Sequence, residues 1–372
     1  MSVKCHELIT KLEQLAPKQL AEDWDNIGLL VGSPEQTIHK IIITLDVDQA
    51  VVSQAIALGA DMIVAHHPVI FKGITNIRTD LPLGSMLADL IKSGIAVYAA
   101  HTNLDSAPGG VNDILAQKFQ LKDSRPLTTV YQEKLYKVVV FVPESHTEIV
   151  RIAMTEAGAG HIGNYSHCTF QTKGVGTFLP LLSTTPFIGE EGRLEFVEES
   201  RIETILPAHL RSRVINAMLA AHPYEEVAYD EYLLLNKGSS CGLGRIGRLG
   251  EAVSLGDFIN QVKHTLLINS VKVAGSVNAV ISQVAVCGGS GAGLIKDAIQ
   301  AGADVLVTGD VKYHEAQQAL AQGLAIIDAG HFATEQPVVQ CLTAYLKEQA
   351  RKNGWNIEII DNNVSEDVFS TY

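Results

Sequence analysis

Basic residues are in short supply. The 372-residue chain has 28 lysines and arginines against 41 aspartates and glutamates, a formal net charge of −13. That balance repels backbone phosphates, so nucleic acid is not an expected partner, unless a local basic patch exists. Cysteine is scarce too. The five residues Cys5, Cys168, Cys241, Cys287 and Cys341 are odd in number, scattered, and form no CxxC pair. A disulfide framework and a cysteine zinc site are both disfavoured. Long apolar runs are missing, and none approaches the ~18 residues of a membrane helix. The opening MSVKCHELITKLEQLAPKQL mixes charges into its apolar positions and lacks the apolar core of a signal peptide. The expectation is a cytoplasmic protein with no membrane partner. What remains is an ordinary globular composition, 47% hydrophobic and 19% charged, long enough for two or three domains.

The outer parts of the chain alternate helix and strand patterns. Helical spacing covers Lys4 to Leu15, Gln49 to Leu58, Leu83 to Ser93 and Val111 to Phe119. Short apolar runs at Ile41 to Leu45, Met62 to Ala65 and Ile95 to Ala100 read as buried strands. Strands separated by helix-length segments pair in parallel. The last third repeats this plan. ALGADMIVAHHP, Ala57 to Pro68, matches QAGADVLVTGDV, Gln300 to Val311. SGIAVYAAHTNLD, Ser93 to Asp105, matches QGLAIIDAGHFATE, Gln322 to Glu335, in the same order. Two ordered matches imply a duplicated βαβ unit and a shared cleft.

The middle reads β-α-β-β-α-β, the ferredoxin-like order. Its strands are Tyr136 to Pro143, Ser166 to Gly174, Glu199 to Pro207 and Glu226 to Leu235, with helices at His146 to Ala157 and His209 to Ala221. Asn236 to Gly250 reads as a linker back. The expected fold class is therefore α/β. A discontinuous, layered and duplicated domain over 1–126 and 239–372 would carry an inserted ferredoxin-like α+β domain over 127–238. Exposed loops tolerate such insertions.

Ligands of parallel sheets sit at the carboxyl ends of strands. There the chain places His66 and His67, then His101 and Asp105, then His331 and Glu335. Imidazole mixed with carboxylate suits zinc first, with manganese, iron or nickel as alternatives, rather than calcium. Neighbouring histidines alternate faces on a regular strand, so His66 and His67 must lie on a loop or serve two metals. Five ligands exceed what one open zinc site takes. They fit two metals about 3.5–4 Å apart, activating a water. Thr334 reads as the N-cap of a helix running from Val338 to Lys352, with His331 in the preceding loop. His101 is the candidate base. Asp46 reads as a helix cap or a support of the site. His209 and His222 read as ordinary hydrogen-bonded histidines.

Two glycine-rich runs compete for attention. GLGRIG, Gly242 to Gly247, matches a dinucleotide fingerprint by letters, but neither follows a strand nor opens a helix. CGGSGAG, Cys287 to Gly293, follows a strand and precedes a helix, so amides at Gly289, Ser290 and Gly291 are candidates for an anion. The alternative is a close-packed turn. Spacing assigns no chemistry to DWDNIGLLVG, Asp23 to Gly32.

WDNIGLLVG, AHHP, HTNLD and GHFATE, in this order, resemble the NGG-interacting factor three-like family, often named GTP cyclohydrolase 1 type 2 homologues. The resemblance covers both outer thirds and extends to the long form, whose insertion resembles P-II-like and CutA-like domains. It implies two divalent metal ions per subunit on His66, His67, Asp105, His331 and Glu335, with His101 beside them. It also implies a homo-oligomer, a hexameric ring built as a trimer of dimers. The family name points to a metal-dependent hydrolase opening a purine ring, with a nucleotide or a phosphorylated small molecule as substrate. The alternative is a non-catalytic metal-binding regulator whose inserted domain senses a small ligand.

Overall fold

In a computed structural model that describes residues 2–362 and 364–370, the chain divides into two compact units. One comprises residues 1–131 and 241–372, the other residues 132–240. Among the described residues no helix is long and apolar enough to cross a membrane. The protein is a mixed α/β protein with several sheets.

The larger unit holds two main sheets. In the first, the strands Glu358–Asp361, Lys40–Thr44, Met62–Ala65 and Ala96–Ala99 run parallel, and Gly28–Val31 closes the edge antiparallel. The central strands are buried along their whole length because helices cover both faces. The period of two decides which face each residue takes. Ile41, Ile43, Met62 and Val64 pack against the helices Cys5–Leu15 and Pro337–Asn353. Ile42, Ile63 and Val97 face Gln49–Leu58 and Pro82–Lys92. In the second sheet Val280–Ser290, Val305–Gly309 and Ala325–Asp328 run parallel, and Lys272–Ala274 pairs antiparallel with Ala325–Asp328. Val286, Val307 and Ile327 meet Phe119, Phe258 and Val262, while Ala285, Leu306 and Ile326 meet Ala298 and Ala319.

The segment from Asn236 to Gly250 departs from the linker reading. Its residues lie in the strands Tyr229–Cys241 and Arg245–Ser254, broken only at Gly242, Leu243 and Gly244. Arg245–Ser254 pairs on one side with Val280–Ser290 and on the other with Lys122–Pro126. Glycine content suggested a loop, but backbone pairing on both sides overrode it. The letters of GLGRIG serve packing. A Cβ on Gly242 would lie 1.9 Å from the Thr128 carbonyl oxygen. Arg245 is buried and donates to the carbonyls of Gly242, Gly244 and Ala107 and to the Asp113 carboxylate.

In the smaller unit, four antiparallel strands lie in the order Tyr229–Cys241, Tyr131–Pro143, Glu195–Pro207, Thr169–Phe178. Val138, Val140, Val142, Ile202 and Leu206 turn to one face and bury Val150, Met154, Val214 and Met218 of the helices Thr147–Glu156 and Arg211–Ala221.

Candidate metal centre

The carboxyl ends of three parallel strands in the larger unit converge. Met62–Ala65 leads into His66 and His67. Their amides still donate to Thr44 O and Leu45 O at 3.1 and 2.9 Å, so the ladder continues while the chain bends. Ala96–Ala99 leads to His101 and the short helix Thr102–Ser106, and Ala325–Asp328 leads to the short helix His331–Glu335. Each segment sets a histidine and a carboxylate four residues apart: His331 and Glu335 share one face of their helix, while His101 immediately precedes the helix that carries Asp105. Thr334 is not the N-cap. It lies inside the His331–Glu335 helix, where its hydroxyl bonds back to the carbonyls of Gly330 and His331. The helix therefore starts at His331, four residues earlier than the cap signal suggested, and aims His331 and Glu335 together.

The fold brings His66, His67, His101, Asp105, His331 and Glu335 together. Three overlapping groups could each hold a metal ion: His66 with His67 and His101, His67 with His331 and Glu335, and His66 with Asp105 and Glu335. Bonds of ~2.0–2.2 Å to a tetrahedral ion put neighbouring donors ~3.3–3.5 Å apart. Here His66 Nε2 lies 3.5 Å from Asp105 Oδ1 and 3.8 Å from Glu335 Oε1. Glu335 Oε2 lies 3.0 Å from both His67 Nε2 and His331 Nε2, which are 3.3 Å from each other. The two oxygens of Glu335 thus face different histidines. Among the described residues, His66 Nε2 and Asp105 Oδ1 are buried without a hydrogen-bond partner. Buried polar atoms ordinarily have one.

Every histidine of the cluster is held by its other nitrogen. Nδ1 of His66 donates to Ala100 O, that of His67 to Asp46, that of His101 to Asp25 and that of His331 to Asp310, all at 2.7–2.8 Å. Such bonds fix the tautomer and present Nε2 to an ion. Asp310 takes a left-handed backbone, φ 56°, to reach His331. It occupies the place in TGDV that His67 holds in AHHP.

Charge in the cluster is mutually arranged. Burial would lower His67, yet Asp46 and Glu335 raise it to about 10. Hydrogen bonding to Glu335, helped by Asp310, raises His331 to about 9 against burial. Burial lifts Asp105 to about 7, with His66 pulling the other way and Glu335 adding to the rise. Burial also opposes ionisation of Glu335, but the histidines around it hold it well below the usual carboxylate range. Asp25, opposed by burial, is held at about 2 by His101 and Thr102. Ligation requires these groups deprotonated, so metal affinity here is expected to rise with pH.

The glycine run behaves differently from the anion cradle expected of it. The amide of Gly289 donates inward to Thr334 Oγ1 and that of Gly291 to Thr308 Oγ1. Only Ser290 of the three is exposed, along the cleft. Gly289 instead gives the cluster room: at φ 61°, a Cβ there would lie 2.1 Å from Glu335 Oε1.

Sequence reasoning missed Asp25 and Asp310. Asp25 lies in the motif to which no chemistry was assigned, and accepts from His101 Nδ1, Thr102 N and Thr102 Oγ1 at 2.8, 3.0 and 2.5 Å. Asp25→Ala is expected to weaken metal binding about tenfold, the low end for a residue that orients a ligand. In a His101→Ala background it should cost nothing further. Additive losses in a titration of the two single variants and the double variant would contradict this coupling.

An α/β protein that gathers four histidines and two carboxylates at its strand ends is, by class, a candidate metalloprotein. The chain belongs to the Duf34/NIF3 (NGG1p interacting factor 3) family, whose sequence model matches residues 3–367. It is 46% identical over 363 residues to a Halalkalibacterium halodurans protein named GTP cyclohydrolase 1 type 2 homolog, covering 98% of this chain and 97% of that one. A Bacillus subtilis protein of the same name is 43% identical over 371 residues, covering 99% of each. The crystal structure of a Bacillus cereus protein related to NIF3 superposes with a TM-score of 0.90 at 46% identity, covering 100% of this chain and 99% of that one. A Staphylococcus aureus protein matches at TM-score 0.77 and 32% identity, with coverage of 100% and 99%.

Proposed function

We propose that this protein is a dinuclear metal-dependent hydrolase acting on a nucleotide or a phosphorylated small molecule. The observation that carries the reading is Glu335, whose Oε1 faces His66 while its Oε2 faces His67 and His331. On this reading His66 and Asp105 would hold one ion, His67 and His331 would hold the other, and Glu335 would be shared between them. Zinc fits the donors first, with manganese, iron and nickel as alternatives. The ions would supply Lewis-acid polarisation and a water ionised near neutral pH. From the sequence His101 is the candidate base. Its Nε2, presented by Asp25 toward His66 and His67, supports a place among the ligands instead.

The cleft above the cluster encloses about 1420 Å³. Its wall carries Glu22, Asp46, Asp310, Asp328, Glu366 and Asp367 against Lys272, the one lysine or arginine among the lining residues described. With the glycine amides turned inward, a substrate phosphate would be met by the ions rather than by the protein. The two sheets, each with three successive parallel strands, support a duplicated unit. The 4-1-3-2 strand order of residues 132–240 supports a ferredoxin-like insertion. Phe71, Ile74, Ile77, Leu81 and Leu83 are exposed in one segment, which supports burial in a subunit contact of a hexameric ring.

The test is turnover. Chelated protein should be inactive against a panel of purine nucleotides and phosphorylated metabolites, and restoring zinc, manganese, iron or nickel should return hydrolysis of at least one. Hydrolysis that survives chelation, or none with any metal, would overturn the reading.

A further inference from the structure

The smaller unit contains a cavity that the metal centre does not involve. It encloses about 670 Å³ between the strand Thr169–Phe178, the connection that follows it, and Tyr224 to Ala228. That volume is within the ~300–1,000 Å³ usual for small-molecule sites. The cavity lies on the sheet face opposite the two helices, because Glu199 and Arg201 alternate with the inward-turned Ile202.

A carboxylate on such a face ordinarily meets water. Glu199 is instead only 8% exposed. It accepts a hydrogen bond from the Tyr224 hydroxyl at 3.1 Å and lies against the backbone of Gly176, where an added Cβ would be 2.1 Å from Glu199 Oε2. Rings surround it. Phe178 and Tyr224 have centroids 5.9 Å apart at 60°, and Phe187 and Tyr224 6.3 Å apart at 48°.

The charges at the wall are unbalanced. The two cations that line it are committed elsewhere, Lys173 to Glu144 at 2.6 Å and Arg201 to Glu203 at 2.8 Å. Glu225 and Glu226 also line the cavity. An anion would be repelled. A metal ion has no ligand set here, since among the described residues the groups suited to one all lie in the larger unit. Aromatic faces and a desolvated carboxylate together favour a soft organic cation.

We propose that this cavity binds a small organic cation, an ammonium group carried on an apolar body, held between the Glu199 carboxylate and the rings of Phe178, Phe187 and Tyr224. The ammonium would face Glu199 and the apolar body would fill the space beside Val175 and Leu181.

Calorimetric titration of the full-length protein with phenyltrimethylammonium tests this. Saturable binding is expected, with benzyl alcohol and benzoate failing to compete. Glu199→Gln should weaken binding more than tenfold. Tyr224→Phe, which keeps the ring, should bind within about threefold of the wild type. Tyr224→Leu should lose at least fivefold, which keeps the test open if Glu199→Gln fails to fold. Absent binding to the wild type, equal competition by benzoate or benzyl alcohol, or undiminished affinity in folded Glu199→Gln would each overturn the proposal.

Discussion

Replacing His67 and Glu335 together by alanine is expected to lower metal affinity at least 100-fold, leaving dialysed protein essentially metal-free. Glu335 is the shared group, with one oxygen facing His66 and the other facing His67 and His331. On the proposed two-ion reading, its loss removes a ligand from both positions. Loss of His67 as well leaves His331 alone at one of them. Removing a residue that only orients a ligand costs about 10–100-fold, so removing two ligands costs more. The fold should tolerate the change. The cores that carry the two sheets consist of apolar side chains and include neither residue. Elemental analysis of the double variant checks the prediction, and metal content equal to the wild type would contradict it.

Arg245→Ala is expected to destabilise the protein by about 3 kcal/mol, the lower end for breaking a buried ion pair. The side chain is 3% exposed. Its guanidinium pairs with Asp113 and donates to Gly242 O at 2.7 Å, Gly244 O at 2.8 Å and Ala107 O at 3.3 Å. Truncation strips the donor from three carbonyls. Ala107 is two residues beyond Asp105, and the Asp105 carbonyl is itself held by Asn112 at 2.9 Å. Denaturant unfolding of chelated protein isolates the effect from metal binding. A loss below about 1 kcal/mol would show that these contacts are replaceable.

Short apolar runs bounded by helical spacing located Met62–Ala65 and Gln49–Leu58 to the residue. In parallel sheets, burial on both faces leaves little else that such a run can be. The rule that ligands gather at strand ends then picked out the histidines and carboxylates that the fold brings together. The orienting carboxylates Asp25 and Asp310 stayed hidden because each acts across the chain: Asp25 lies 76 residues from His101 and Asp310 lies 21 from His331. No local spacing encodes such contacts. The glycines of GLGRIG and CGGSGAG invited phosphate-binding readings, since glycine marks close approach without saying of what. Here the neighbours are the Thr128 carbonyl and the Glu335 carboxylate.

The central claim is that one cluster binds two ions. The most direct measurement is elemental analysis of protein purified without chelator, with bound metal counted per chain. Two divalent ions per chain are predicted, both released by chelator. One ion per chain would contradict the bridging role of Glu335, and a content near zero would contradict the metal centre itself.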